Sequence, residues 1–326
     1  MKLALDVMGF ENKINEAVKA ARDFVKSHDD VQIILFGNEE LIKPLLKKPN
    51  EFEIVNCSEV VNMADSPLTA LRKPNSSMFQ AIKYVVDNKA DGVLSAGSTA
   101  CYVLLVYSLI KTIPGIERPA FMPYVPTSNG KGLTLLDVGA NKECTGKNLY
   151  QFALMGKIYC ESIRGIKQPV IGVINIGSEK EKGFAFHHEA DELLRNDKSI
   201  NYKGFVETRE LLNGVIDIAV CDGYTGNITL KSLEGGLKTV TNCLKTQYKK
   251  PWNWLGALFS LVAIKSLKKT FDYKNNAGAL VIGLNKIAVK THGSADYQQF
   301  YSSLEMLHKS INNNVINKIK ESLKHE

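Results

Sequence analysis

Hydrophobic positions fall into short apolar runs that alternate with amphipathic stretches along the chain. Nine runs rich in Val, Ile and Leu have the length of buried strands: 2–7, 31–37, 52–56, 92–95, 133–138, 170–176, 216–221, 279–284 and 287–290. Helical spacing of apolar residues occurs at 12–26, 77–86, 98–109, 148–163, 189–194 and from about 296 onward. Such alternation predicts a three-layer α/β fold with a mainly parallel sheet.

Glycine and polar residues follow most of the predicted strands. The pairs or single residues at these strand ends are Asp6 with Gly9, Gly37, Ala96 with Gly97, Asp137 with Gly139, Gly177, and Asp222 with Gly223. In open α/β sheets, ligands bind at the carboxyl ends of the strands. We therefore expect the chemistry of this chain at that edge.

A long helix is predicted over 225–248, and a second helical stretch over 261–270 follows the lysine pair and Pro251. Together they predict a projecting helical hairpin at about 227–272. Between lysines at its two ends lie the predicted membrane contacts Trp252, Trp254, Leu255, Leu258 and Phe259. This segment is too short to span a bilayer but suits an interfacial anchor on anionic lipid. The alternative is an oligomer contact or packing on the core, and different faces can serve both.

The composition is that of an ordinary globular protein, with 326 residues, 44% of them hydrophobic and 23% charged. We predict one α/β catalytic domain over 1–326. The six cysteines include no C-x-x-C pair, which favours reduced thiols in the cytosol. No leader and no run of about 18 apolar residues is seen, so we expect a chain that is neither secreted nor membrane-spanning.

The formal net charge is +7, without an arginine-rich stripe. This argues against nucleic acid as a partner. A mildly basic surface suits an acidic protein or an anionic lipid surface, because complementary potentials raise the encounter rate.

The segment 222–231, DGYTGNITLK, follows a predicted strand and opens a helix. Free backbone N–H groups at such a helix start would bind an anion. The alternative is a tight turn with Asn227 or Thr225 as the N-cap.

Three further strand ends carry candidate polar groups. The segment 175–183, NIGSEKEKG, carries Lys182. Its ammonium group can serve one of two purposes: it is a point charge that binds phosphate or an oxyanion, or it belongs to a charge run exposed to solvent. Asp137 and Asn141 flank a glycine, and hydroxyl groups follow Gly97 at Ser98 and Thr99. Collectively these ends favour a phosphate-bearing ligand.

Neither the histidines nor the known nucleotide-binding motifs predict a different kind of site more strongly. His292 follows a strand and either faces the cleft or has a structural role, and the adjacent His187 and His188 suit surface or capping roles. No G-x-G-x-x-G, true P-loop, G-x-S-x-G or cysteine-histidine metal spacing occurs in the sequence. We therefore predict no cofactor and no metal.

Taken together and in order, nine sequence blocks resemble one bacterial family. They are DVMG at 6–9, DSP at 65–67, SSM at 76–78, SAGST at 95–99, LLDVGAN at 135–141, QFALMG at 151–156, NIGSEKEKG, DGYTGNITLK and HGSAD at 292–296. The family is that of the acyl-carrier-protein:phosphate acyltransferases (PlsX type). The likeness covers nearly the whole chain.

The resemblance implies a Rossmann-like fold akin to isopropylmalate dehydrogenase and phosphotransacetylase. It also implies a homodimer that uses acyl carrier protein and inorganic phosphate to supply acyl phosphate for phospholipid synthesis, in the cytoplasm and peripherally on the inner face of the membrane. Lys182 and Asn227 would be catalytic. Residues implied to contact phosphate or acyl donor are Gly97, Ser98, Thr99, Asp137, Asn141, Asp222, Thr225, Gly226 and His292.

The chain departs from the family pattern beside several of these blocks. The departures are Phe10, Glu11, Ser98, Ala100, Phe184 and Ala185. The implied reaction needs no catalytic triad, because phosphate is the nucleophile and a thiolate leaves readily. Two rivals stay open: a coenzyme A-dependent transferase of the same fold, and a non-catalytic membrane scaffold.

Overall fold

The computed structural model describes residues 1–271 and 278–324. Their contacts divide the chain into two compact units. The first holds Met1–Tyr124, Leu154–Gln168 and the described part of Lys274–Glu326; the second holds Val125–Ala153 and the described part of Pro169–Tyr273. That the whole chain is one catalytic domain stays a prediction, because one catalytic domain can consist of two compact units.

Seven strands form the sheet of the first unit. They are β1 (Lys2–Asp6), β2 (Gln32–Gly37), β3 (Glu53–Asn56), β4 (Gly92–Ser95), β5 (Ala120–Val125), β10 (Ala279–Ile282) and β11 (Ile287–Lys290). Their order is β3-β2-β1-β4-β11-β10-β5. The first five in this order run parallel, and β10 is antiparallel to both of its neighbours. The carboxyl ends of β1, β4 and β11 therefore lie side by side.

The helices of the first unit follow these strands. They are α1 (Ile14–Ser27), α2 (Glu39–Ile42), α3 (Pro67–Leu71), α4 (Ser77–Val86), α5 (Thr99–Ile110), α10 (Tyr297–Asn312) and α11 (Val315–Ser322). Serine and aspartate N-caps fix where α3, α4 and α10 begin. The side chains of Ser66, Ser76 and Asp296 each accept a hydrogen bond from an amide in the first turn. α1 buries Val18 and Phe24 and packs against α10, so its apolar face completes part of the core.

Four parallel strands form the sheet of the second unit, in the order β6-β9-β7-β8. They are β6 (Leu133–Leu136), β7 (Ile171–Ile174), β8 (Tyr202–Val206) and β9 (Ile218–Val220). The helices are α7 (Ala185–Asn196), α8 (Gly223–Tyr248) and α9 (Trp254–Thr270), while α6 (Gly146–Tyr159) has residues in both units. β6, β7 and β9 are buried throughout, as expected of central parallel strands.

The predicted fold class, a mainly parallel α/β protein, is confirmed. α8 and α9 cover the predicted hairpin segment and contact each other, but that they form a projecting hairpin stays a prediction. The terminal helix predicted from about 296 is divided into α10 and α11. Four described strands and α-helices were not predicted: β5, β8, α2 and α3. Each of them is short or lacks a continuous apolar run.

A largely buried ion pair in the first unit gives a stability prediction. Arg22 of α1 donates through Nε to Glu51 Oε1 at 2.5 Å, and this pair holds the pKa of Glu51 below its ordinary value of 4.5. Because the folded-state pKa is lowered, the pair stabilises the fold above about pH 4.5, and this stability is lost as the pH falls through the folded-state value. We expect Glu51→Gln to lower the free energy of unfolding by about 3 kcal/mol at pH 7.

Urea unfolding of wild type and Glu51→Gln at pH 7 and at about pH 3.5 checks this. The difference should shrink at the lower pH, and Glu53→Gln, at an exposed glutamate nearby, should show no comparable effect. An equal difference at both pH values would contradict the assignment.

Candidate active site

Three strand ends meet at the carboxyl edge of the second unit's sheet. Leu136 of β6 and Val173 of β7 are both in register with Val220 of β9. The segments that leave these strands therefore start side by side, about 5 Å apart from strand to strand. They carry most of the candidate site residues from the sequence.

The segment after β6 is a tight turn organised by Asp137, which is fully buried. Its Oδ1 accepts from the Ala140 amide at 3.1 Å, and its Oδ2 accepts from the amide of Asn141 at 2.6 Å and from Asn141 Nδ2 at 3.0 Å. Since these groups bond to each other, Asp137 and Asn141 hold the turn in one shape.

The segment after β9 is the start of α8, and Asp222 is its N-cap. Its carboxylate accepts from the Thr225 amide at 2.9 Å and from Thr225 Oγ1 at 2.7 Å. The amides of Gly223 and Gly226 donate to the carbonyl oxygens of Asn141 and Asp222, each at 2.9 Å. These amides are engaged within the protein, whereas the half-buried side chain of Asn227 is one donor that this turn can offer to a ligand.

Close packing against the Asp137 turn explains a glycine in this helix. A Cβ on Gly226 would overlap the carbonyl oxygen of Asp137. Gly139, whose φ of +107° is the left-handed type that favours glycine, lies against Asn227: a Cβ there would come within 2.9 Å of Asn227 Nδ2. Asn227 is thereby placed over the turn that follows β6.

The segment after β7 carries Lys182 and is held by Asn175. Asn175 Nδ2 donates to the carbonyl oxygen of Lys182 at 2.8 Å, and its Oδ1 accepts from the Ile176 amide at 2.8 Å. By continuation of the β7–β9 register, Asn175 stands level with Asp222. The loop of Lys182 is thus tied to the strand end beside the start of α8.

The ammonium group of Lys182 remains accessible. Its side chain is 45% exposed, and its Nζ lies 3.8 Å from Glu179 Oε1 on the same loop. A loose, exposed pair of this kind is weak. The ammonium group of Lys182 can therefore bind an anionic substrate.

His187 caps the start of α7, directly after the loop of Lys182. It is 6% exposed, and its Nδ1 accepts from the Phe184 amide at 3.0 Å, which confirms a capping role. Burial lowers its pKa below the ordinary value, and the negative charge of Asp222 opposes this shift. A neutral His187 fits its role as acceptor, because the ring nitrogen must be unprotonated.

The other candidates belong to the first unit, at the carboxyl ends of β4 and β11. These strands are parallel, with Ser95 in register with Lys290, so Gly97 and His292 stand level just beyond them. Ser98 is buried and Thr99 is exposed at the start of α5. His292 is exposed, and its Nδ1 accepts from the Ser294 amide at 3.2 Å.

The hairpin of α8 and α9 exposes an unusual amount of apolar surface. Phe259 is 85% exposed and Trp252 76%, and Leu258 is also exposed. Trp254 and Leu255 begin α9, but their side chains lie outside the part that the structure describes. Among the described residues, no helix combines the length and apolar character needed to cross a bilayer.

Sequence reasoning missed several residues of this arrangement. Asn175 and His187 hold the Lys182 loop, and Gly139 supports Asn227, yet none of the three was given a site role. Asn175 is a polar residue near the end of the predicted strand 170–176, which was the available signal. Within the described residues, no group of three or more metal-type side chains is found.

The chain is similar to known proteins in both sequence and fold. The family model described as "Fatty acid synthesis protein" matches residues 1–318. The phosphate acyltransferase of Malacoplasma penetrans is 53% identical over 98% of this chain and 97% of its own length. That of Mycoplasmoides gallisepticum is 49% identical over 98% and 97%, and that of Mycoplasma genitalium 48% identical over 99% and 98%.

Solved structures with the same fold include two phosphotransacetylases. The enzyme from Streptococcus pyogenes has a TM-score of 0.61 at 18% identity, covering 97% of this chain and 94% of that one. The EutD phosphotransacetylase from Staphylococcus aureus has a TM-score of 0.62 at 16% identity, covering 96% and 94%. At such identities, the likeness shows the fold alone.

Proposed function

Since the chain belongs to the fatty acid synthesis protein family, with phosphate acyltransferases as its relatives, we propose that it makes acyl phosphates. The reaction moves a fatty acyl group from the thioester of acyl carrier protein to inorganic phosphate. Free carrier protein leaves, and the acyl phosphate feeds phospholipid synthesis through phosphatidic acid.

The observation that carries this proposal is the placement of Lys182 and Asn227. Both follow neighbouring strands, β7 and β9, at one edge of the same sheet. The reaction requires a charge for phosphate and a donor for the oxyanion that forms at the carbonyl carbon. An accessible ammonium on the segment after β7 and a carboxamide on the segment after β9 would meet both requirements.

The two side chains differ in a way that suggests their roles. Lys182 is long, exposed and loosely paired, which suits a mobile phosphate dianion. Asn227 is half-buried over Gly139, and a fixed donor of this kind suits an oxyanion. We assign phosphate binding to Lys182 and oxyanion stabilisation to Asn227, with Asp137, Asn141, Asp222, Thr225 and Gly226 placing them.

The chemical steps need little further help. A phosphate oxygen forms a bond to the carbonyl carbon, the C–S bond breaks, and the electron pair leaves with sulfur. A thiol of pKa about 8.5 is a good leaving group, so no general acid is required. Gly97, Ser98, Thr99 and His292 of the first unit are proposed to contact phosphate or the acyl donor.

Donor choice tests this function against its nearest rival. We expect thiol release from acyl carrier protein thioester only when phosphate is present, with a higher kcat/KM than for the coenzyme A thioester of the same acyl group. A preference for coenzyme A would instead assign a coenzyme A-dependent transferase. Phosphate-independent release from both donors would contradict phosphate transfer altogether.

The hairpin supports a proposal about location. We propose that the chain forms a homodimer in the cytoplasm and that the hairpin touches the anionic inner face of the membrane. Exposed apolar groups on α9 lie near basic side chains, and Lys250 Nζ stands 6.0 Å from the ring centre of Trp252. Tryptophan beside lysine is typical of an interfacial anchor.

Vesicle binding checks the anchor. Replacing both Trp252 and Phe259 by alanine should weaken binding to vesicles containing anionic lipid by at least about tenfold, because two large apolar side chains no longer enter the interface. The control replaces Leu41 and Leu68, which are exposed in the first unit, and should leave binding unchanged. Unchanged binding of the hairpin variant, with a shift from dimer to monomer in sedimentation, would assign the patch to the dimer contact instead.

A further inference from the structure

Large apolar side chains are exposed on the two segments that carry Lys182 and Asn227. Ile176 is 79% exposed and Phe184 69% exposed on the segment after β7. Tyr224 and Ile228 are exposed in the first turns of α8. Single exposed apolar residues are ordinary, but a group of them around a candidate site is typical of a surface that binds a ligand or a partner. We call these four residues the apolar rim.

Phe184 occupies a position where its residue type is unfavourable. It is the N-cap of α7, and N-caps are usually Ser, Thr, Asp or Asn because their side chains accept a hydrogen bond from a first-turn amide. The phenyl ring cannot do this. The Phe184 amide donates to His187 Nδ1 at 3.0 Å, so the backbone is fixed here without any need for the ring. A residue that breaks a local rule points to a purpose other than stability.

The ring of Phe184 is the outer member of an aromatic stack. Its centre lies 5.9 Å from the ring centre of Phe186 and 5.9 Å from that of His187, at interplanar angles of 21° and 19°. His187 in turn lies 6.5 Å, edge to face, from the buried ring of Phe205 on β8. The stack anchors the exposed ring to the core. A ligand that packs on this ring therefore immobilises little of the protein, which favours binding.

The backbone between Lys182 and Phe184 is fixed as well. Gly183 has a φ of +98°, and a Cβ on it would come within 2.6 Å of Asn175 Oδ1. Asn175 Nδ2 also donates to the carbonyl oxygen of Lys182 at 2.8 Å. Because two residues span at most about 7 Å, the Phe184 backbone lies close to that of Lys182.

The α8 part of the apolar rim lies beside Asn227. Tyr224 and Ile228 are four residues apart, so they share one face of the helix, and Ile228 directly follows Asn227 in the chain. The segments after β7 and β9 start from neighbouring strand ends. Each of the two proposed reacting side chains thus has exposed apolar residues next to it on its own segment.

The alkyl chain of an acyl donor needs an apolar surface in this place. The chain starts on the carbonyl carbon at which Lys182 and Asn227 are proposed to act, so its first methylene groups must lie near the residues around these two. Each methylene group that leaves water strengthens binding about fourfold. A second protein molecule on the same surface would cover the loop of Lys182 and exclude the substrates.

We propose that the apolar rim binds the alkyl chain of the acyl donor and that Phe184 sets a preference for long chains. This rests on the proposed acyl transfer. Phe184 is one of the positions at which the chain departs from the pattern of the family that it resembles, so the preference is a property of this chain.

The variant Phe184→Ser tests the proposal, because serine is a favoured N-cap and should not weaken α7. We expect kcat/KM for palmitoyl carrier protein to fall at least about tenfold, the effect of about two methylene groups returned to water. For butyryl carrier protein, kcat/KM should stay within about twofold, since so short a chain offers few methylene groups to the ring. Steady-state kinetics with both donors measures this.

Two further variants serve as controls. Phe184→Leu keeps an apolar side chain and should retain kcat/KM for the palmitoyl donor within about threefold. Val215→Ser removes an exposed apolar side chain of the same unit, near the amino end of β9 and thus at the opposite edge of the sheet. It should change kcat/KM for neither donor.

Other outcomes overturn the proposal. An equal loss for the palmitoyl and butyryl donors would assign Phe184 to the shape of the Lys182 loop, and unchanged kinetics in folded Phe184→Ser would exclude the ring from chain binding. A shift from dimer to monomer in sedimentation, without a change in chain preference, would assign the apolar rim to a contact between copies. Failure of both Phe184 variants to fold would assign a purely structural role. Absence of phosphate-dependent thiol release by the wild-type chain would instead overturn the proposed function.

Discussion

Replacing Lys182 by alanine is expected to lower the rate of acyl phosphate formation by at least about a hundredfold, on the scale of losing one strong electrostatic contact in the transition state. The reason is that the loop after β7 brings an accessible ammonium to the edge where the start of α8 also lies. Because Lys182 is assigned to phosphate, KM for phosphate should rise as well. Steady-state kinetics with varied phosphate measures both effects.

Lys180→Ala is the matched control, because Lys180 is exposed on the same loop and the change in net charge is identical. It should retain turnover within about twofold, since surface charges away from the reacting groups contribute little. Near-normal acyl phosphate formation by Lys182→Ala would remove Lys182 from the mechanism. Equal losses in the two variants would assign a general charge effect instead.

Replacing Asn227 by alanine is expected to lower kcat by about a hundredfold or more, with a smaller effect on KM for phosphate. The carboxamide is assigned to the oxyanion, which exists only in the transition state and the intermediate. Asn227→Asp should be no better, because it keeps the shape but places a negative charge where negative charge develops. The same kinetic assay, with circular dichroism to confirm folding, measures this.

Asn242→Ala provides the control for the second prediction. Asn242 lies on the same helix α8 and is exposed. The substitution should leave kcat and KM unchanged. If Asn227→Ala raised KM for phosphate and spared kcat, the assignments of Asn227 and Lys182 would have to be exchanged.

Periodicity was enough to predict the sheet where strands are fully buried. β6, β7 and β9 consist of continuous apolar residues, so the sequence pattern and the burial agree. β8 was missed because Lys203 and Gly204 interrupt it, and only its last three residues are buried. β5 contains Pro123, which disfavours a strand assignment, yet it pairs with β10 in antiparallel register.

Local sequence patterns predicted the candidate site only in part. The segment after β9 could be either an anion site or a capped turn by spacing alone, and the structure shows that Asp222 is the cap. Lys182 and Asn227 stood out through the resemblance rather than through any local rule. No local signal marks the contact of Asn227 with Gly139, because the two residues are distant in the chain.

Long-range polar contacts could not be predicted from the sequence either, because the residues that make them are distant in the chain. Asp6 and Ser95 are 89 positions apart, and Lys290 comes from a third, later strand. The sequence presents each of them as one polar residue at a strand end. Only the parallel pairing of β1, β4 and β11 brings them together, so this cluster becomes visible in the fold alone.

The most direct measurement is the product balance of the purified chain with acyl carrier protein thioester and inorganic phosphate. Acyl phosphate, trapped as a hydroxamate, and free carrier thiol should appear in equal amounts, and neither should form when phosphate is left out. Thiol release without acyl phosphate, or without any need for phosphate, would contradict the account.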